Sequence, residues 1–70
     1  MIVELTNQNN PEQRVEFRWD ENGEDCVFVA FGLEEELGEE GVWDLIDDMA
    51  KAKADEGADF DGWTTDLIWE

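Results

Sequence analysis

The chain is predicted to fold as an α+β domain, a mainly antiparallel sheet of three to four strands with one short and one longer acidic helix packed on one face. Three observations predict this. Two apolar-rich runs flank Asn22-Gly23, the strongest short-range hairpin signal. Val42, Leu45, Ile46, Met49 and Ala50 recur at helical spacing. Short β-prone segments, Ile2 to Thr6 and Trp63 to Trp69, stand before and after these elements.

In the first strand Met1, Val3 and Leu5 fall on one side and Ile2, Glu4 and Thr6 on the other. Asn7 to Glu12, with Asn9, Asn10 and Pro11 in its middle, has turn residue types, and Pro11 cannot donate to a ladder. A loop is expected there. The hairpin then runs from Arg14 to Phe31. A two-residue turn at Asn22-Gly23 sets Glu21 opposite Glu24, Asp20 opposite Asp25, Trp19 opposite Cys26, Phe17 opposite Phe28 and Val15 opposite Ala30. The last three pairs make one apolar face, on which Cys26 is expected as a small buried residue. A slip by one residue would scatter the aromatics to both faces. The reverse face carries Arg14, Glu16, Arg18, Val27, Val29 and Phe31, a mixture that suits either partial cover or contact. Both arginines are expected to pair with Glu16, Glu4 or the helices. At the tip, Asp20, Glu21, Glu24 and Asp25 oppose like charges, which is locally destabilising and tolerable where the chain is exposed.

Leu33 to Leu37, with a leucine pair at i and i+4, predicts a helix of one or two turns, stopped by Gly38 at positive φ. A longer helix should begin near Glu39 to Gly41, run to about Asp55 or Glu56, and end at Gly57. Its apolar stripe is buried, Trp43 sits at the margin, and Asp44, Asp47, Asp48, Lys51 and Asp55 line the other side. Lys51 reaches Asp47 and Asp48, yet one lysine cannot neutralise that face. Ala58 to Gly62 is a connector. The closing strand sets Trp63, Thr65, Leu67 and Trp69 on one side, its tryptophans completing the core.

Seventy residues with a net charge of −17 are expected to form one domain, residues 1–70, with no deep enclosed site. Four Trp and four Phe separate the chain from disordered acidic tails, which lack such large apolar surfaces. Cys26 is the only cysteine, so an internal disulfide is impossible and a reducing compartment, the cytoplasm, is expected. No signal-peptide pattern and no membrane-length apolar run is present. Anionic lipid and nucleic acid would be repelled, so neither a membrane nor direct nucleic-acid binding is expected.

The residue set narrows the chemistry further. With no histidine, serine or tyrosine, serine and cysteine triads, histidine acid–base work and histidine metal ligation all fall away. Carboxylate-only catalysis needs two carboxyls across a substrate cleft, for which so short a chain offers little room. No enzyme activity and no cofactor is expected. Calcium ligation fails too: an EF-hand register from Gly57 ends on Ile68, and one from Asp59 puts Trp63 and Thr64 at positions 5 and 6.

What remains is charge. Eight of the fifteen residues from Glu34 to Asp48 are carboxylates, with no cation among them. If helical throughout, the tract would span roughly 22 Å, about one carboxylate per 3 Å of axis. Duplex DNA carries one charge per about 1.7 Å and a single strand one per about 3.4 Å, so the densities are of the same order. Such a potential attracts a cationic surface, although a solvated helix face would carry the same pattern. In element order and charge, centred on this tract, the chain resembles small acidic phage proteins of the anti-CRISPR and DNA-mimic type. That resemblance implies a protein made in the host cytoplasm that blocks target-DNA or PAM recognition by a Cascade-like CRISPR effector complex, or blocks another basic nucleic-acid-binding protein. The residues implied are Glu34, Glu35, Glu36, Glu39, Glu40, Asp44, Asp47 and Asp48. Two other readings stay open: a halophile's small domain with acid spread as solvent adaptation, and an acidic adaptor for a basic protein partner of another kind.

Overall fold

Alternation along two strands supplies four of the ten buried apolar residues of the core. In β1 (Ile2–Asn7) and β2 (Asn10–Trp19) the side chains of Val3, Leu5, Val15 and Phe17 point to one side and are buried. The computed structural model describes residues 1–68. Within them, β1 and β2 are the inner strands of a four-stranded antiparallel sheet of order β3-β2-β1-β4, with β3 (Cys26–Phe31) and β4 (Trp63–Ile68) at its edges. Helix α1 (Glu34–Lys51) lays Val42, Ile46 and Met49 onto those four residues, and Leu33, Ala54 and Trp63 close the cluster. The fold is α+β.

The hairpin pairs in the expected register, Trp19 with Cys26, Phe17 with Phe28 and Val15 with Ala30. Its turn differs. Gly23 N–H donates to the Asp20 carbonyl at 3.1 Å, so the bend is centred on Glu21-Asn22 rather than Asn22-Gly23. Asp20 N–H donates to the Asp25 carbonyl at 3.0 Å, and Glu24 N–H donates to Asp20 Oδ1 at 2.9 Å. A two-residue loop and this four-residue one share a midpoint and therefore a register. Asp20 thus has a structural task, closing the loop, that its charge alone does not reveal.

Strand β2 starts earlier than the turn residues suggest. Asn7 pairs with Asn10 while Thr6 pairs with Arg14, so Pro11, Glu12 and Gln13 bulge out of the ladder. A bulge is where a residue without an N–H breaks no ladder bond. Gln13, inside the bulge, is buried and accepts a hydrogen bond from Asn7 Nδ2 at 2.8 Å.

One helix stands where a short and a longer one were expected. The chain runs from Glu34 to Lys51 as a single 18-residue element, interrupted only by non-helical angles at Gly38, φ 70° and ψ 173°. The predicted stop is a kink. A Cβ at Gly38 would meet nothing within 4 Å, so glycine is required there by the backbone alone. At its other end α1 stops at Lys51, before the Asp55 or Glu56 that the pattern suggests. Lys53 turns left-handed, φ 61°, and a 3₁₀ turn at Ala54–Glu56 follows, ending on Gly57. That turn inserts Ala54 fully into the core, a contact a continuing helix would not make. In β4 Trp63 is buried as expected, Leu67 on the same side is 51% exposed, and Trp69 lies outside the described residues. No described helix is long and apolar enough to cross a membrane.

Candidate partner-binding surface

Because Val42, Ile46 and Met49 face the sheet, the intervening turns of α1 must present Asp44, Asp47 and Asp48 to solvent. Glu34, Glu35 and Glu36 occupy the first turn, and Glu39 and Glu40 follow the kink. All eight carboxylates of the tract are exposed. The kink splits them into two groups on differently directed segments, so they do not form the straight array that an unbroken helix would give. The first-turn glutamates also lie where the helix dipole favours negative charge, and no side-chain cap competes for the free N–H groups there. Lys51 Nζ meets Asp47 Oδ2 at 2.9 Å, one turn away. That hydrogen bond, with the fields of Asp47, Asp48 and Asp44, raises the lysine above its ordinary pKa. Among the described residues Asp47 is the one member of the eight held in an ion pair.

Both arginines sit on the sheet face away from the helix. Arg18 Nη2 lies 2.6 Å from Glu16 Oε2, with Nε of the same side chain at 3.2 Å, and Arg14 approaches Glu4 at 3.9 Å. Arg14 also lies over the Phe31 ring, 4.9 Å from its centroid. The pairing partners are those expected. Glu16 is only 9% exposed, and its carboxyl is held below the ordinary 4.5, first by the Arg18 hydrogen bond, against a burial cost that acts the other way. With both arginines on the sheet's outer face, the cations left at the helix are Lys51 in its last turn and Lys53 two residues beyond its end.

The helix side has an apolar feature that the charge pattern conceals. Trp43, placed at the margin of the stripe by its spacing, is 55% exposed, and its ring stands edge-on to Phe28, centroids 5.0 Å apart and planes at 89°. Between α1 and β3 these two rings, with Val29, Ala30 and Val42, line an open groove of about 620 Å³ rimmed by Glu34 and Glu39. Trp43 was the available signal, a large apolar residue at the boundary between stripe and acid.

Cys26 departs from expectation: the thiol is exposed, because β3 is an edge strand with no neighbour on its outer side. Partial cover, and then the Asp55 carboxylate, push its pKa up. Among the described residues no three carboxylate or thiol groups converge closely enough to hold a metal ion.

Fold and surface together define a small α+β domain whose single helix carries a polyanionic face beside an aromatic groove. No protein-family model, no curated protein and no solved structure matches the chain.

Proposed function

We propose that the protein is an inhibitor that offers DNA-like charge to a basic nucleic-acid-binding protein and occupies its nucleic-acid site. The partner in this reading is a CRISPR effector complex or another DNA-binding protein of a bacterial host, met in the cytoplasm. One observation carries it: eight exposed carboxylates on one helix, which holds a single lysine, Lys51, in its last turn. The helix dipole accounts for Glu34, Glu35 and Glu36 in the first turn and for Glu39 and Glu40, which open the segment after the Gly38 kink, but not for Asp44, Asp47 and Asp48, which lie beyond its reach. An exposed anionic array attracts cationic surfaces over about a Debye length, roughly 8 Å at physiological ionic strength.

The test is capture from a bacterial lysate with tagged protein, eluted by duplex DNA. Release of a nucleic-acid-binding protein or effector complex by the duplex is the expected result. Lysine substitutions at Glu39, Glu40, Asp44 and Asp48 should abolish capture while far-UV circular dichroism stays unchanged. Folded variants that still capture the same protein would place the contact elsewhere.

A second reading has its own support. Asp20, Glu21, Glu24 and Asp25 at the hairpin tip and Asp59 and Asp61 in the last loop are exposed as well, so acid is not confined to α1. Solvent adaptation in a halophile gives such a spread. It requires that the chain fold only in molar salt, and cooperative unfolding in dilute buffer would remove it.

A further inference from the structure

The hydrogen-bond phase of the sheet can be read outward from the hairpin. Asp20 N–H donates to the Asp25 carbonyl, and bonded pairs alternate along an antiparallel ladder. Val27, Val29 and Phe31 therefore turn their backbone groups toward β2, whereas Cys26, Phe28 and Ala30 direct N–H and C=O to the open edge. Edge strands are ordinarily blunted by charge, proline or a bulge. β3 has none of these, for no charged residue occurs from Cys26 to Leu33. Acid lies at both ends instead, Glu24 and Asp25 before the strand and Glu34, Glu35 and Glu36 after it. The groove holding Trp43 and Phe28 runs beside the same strand, with Glu34 and Glu39 on its rim.

We infer that the open edge of β3 and this groove receive an extended segment of a basic protein partner. The segment's main chain bonds to Cys26, Phe28 and Ala30, and an arginine or lysine side chain lies over Trp43 between Glu34 and Glu39. The inference rests on the reading of a basic protein partner and specifies how that partner is held. Main-chain pairing supplies affinity at a free strand edge, and alternate side chains supply selectivity. A cation over an indole face with carboxylates beside it is favoured both by the ring quadrupole and by ion pairing. A second copy of this chain fits worse. Each copy carries −17, and pairing two copies antiparallel along β3 brings the acids before one strand, Glu24 and Asp25, toward those that follow the other, Glu34 to Glu36.

The experiment titrates isotope-labelled full-length protein with an eight-residue peptide of alternating valine and arginine, and with the same peptide N-methylated at alternate amides. Expected are shifts at the amides of Cys26, Phe28 and Ala30 and at the Trp43 indole, no binding by the methylated peptide, and about thirtyfold weaker binding by Trp43→Ala, the loss of one hot-spot side chain. Trp43 is over half exposed, so this variant should remain folded, which its amide spectrum will show. Equal binding of both peptides, shifts confined to Asp44, Asp47 and Asp48, or no binding at low salt would each overturn the edge site. Those outcomes leave charge mimicry standing, because duplex competition tests it separately. Peptide bound at β3 with no competition by duplex in lysate would retain the edge site and remove mimicry.

Discussion

Glu16, the most buried carboxylate among the described residues, pairs with Arg18, and the pH dependence of the pair follows from the direction of the shift. Glu16 is depressed in the folded state, so the pair stabilises fully above the unfolded value of about 4.5 and loses that contribution as pH falls through the folded pKa. Arg18 is 48% exposed at its side chain, so solvent screening holds the pair to under about 1 kcal/mol. Arg18→Ala should lower the melting temperature at pH 7, and the gap to the parent should close as pH falls below 4.5 and through the depressed folded value of Glu16. A gap that does not narrow at all as pH is lowered would mean that Arg18 acts by packing instead. Cys26 offers a second residue-scale test. Its raised pKa leaves little thiolate at neutral pH, so alkylation by iodoacetamide should be slower than for an unhindered thiol and should recover in urea. The arginine partners were foreseeable from strand alternation, since i and i+2 share a face. The exposure of Cys26 was not, because a strand's own residues do not reveal whether it lies at a sheet edge.

At the scale of elements, α1 owes its place to a few buried contacts and its shape to one glycine. Met49 is fully buried beneath it, and Met49→Ala should cost about 2–5 kcal/mol, a large share of the stability of so small a domain, measurable as a lower urea midpoint. Gly38 at φ 70° and ψ 173° adopts a conformation that L-residues enter only with strain. Gly38→Ala should therefore destabilise by about 1–3 kcal/mol although there is room for the methyl group. An unchanged midpoint with increased helicity would show that the kink straightens without cost. The short leucine-bearing turn and Gly38 at positive φ are visible in the sequence. Whether the chain pauses there or continues as a bent helix depends on how Leu33 and Val42 both reach the sheet, a matter of packing on either side of the kink.

The whole molecule is governed by its self-repulsion. Twenty-one carboxylates against four cations on a domain of 34 × 21 × 20 Å oppose the compact state in dilute buffer. Raising sodium chloride from about 10 mM to about 150 mM shortens the Debye length from about 30 to about 8 Å. The melting temperature should rise by several degrees, about 4–8 °C if screening returns about 1 kcal/mol. No rise would mean that the acids are already too far apart or too well solvated to matter, and an unfolded chain at both concentrations would favour the halophile reading.

Local pattern was enough for the α+β class, the apolar face of β1, the hairpin register and the exposure of the acidic tract. These depend on side-chain period and on loop midpoint, which neighbouring residues set. Strand order, the bulge around Pro11, the early end of α1 at Lys51 with Ala54 folded into the core, and the meeting of Phe28 with Trp43 depend on contacts between residues distant in the chain. The groove beside β3 belongs to this second group. Its two rings come from different elements, and only the packing of helix on sheet brings them within 5.0 Å.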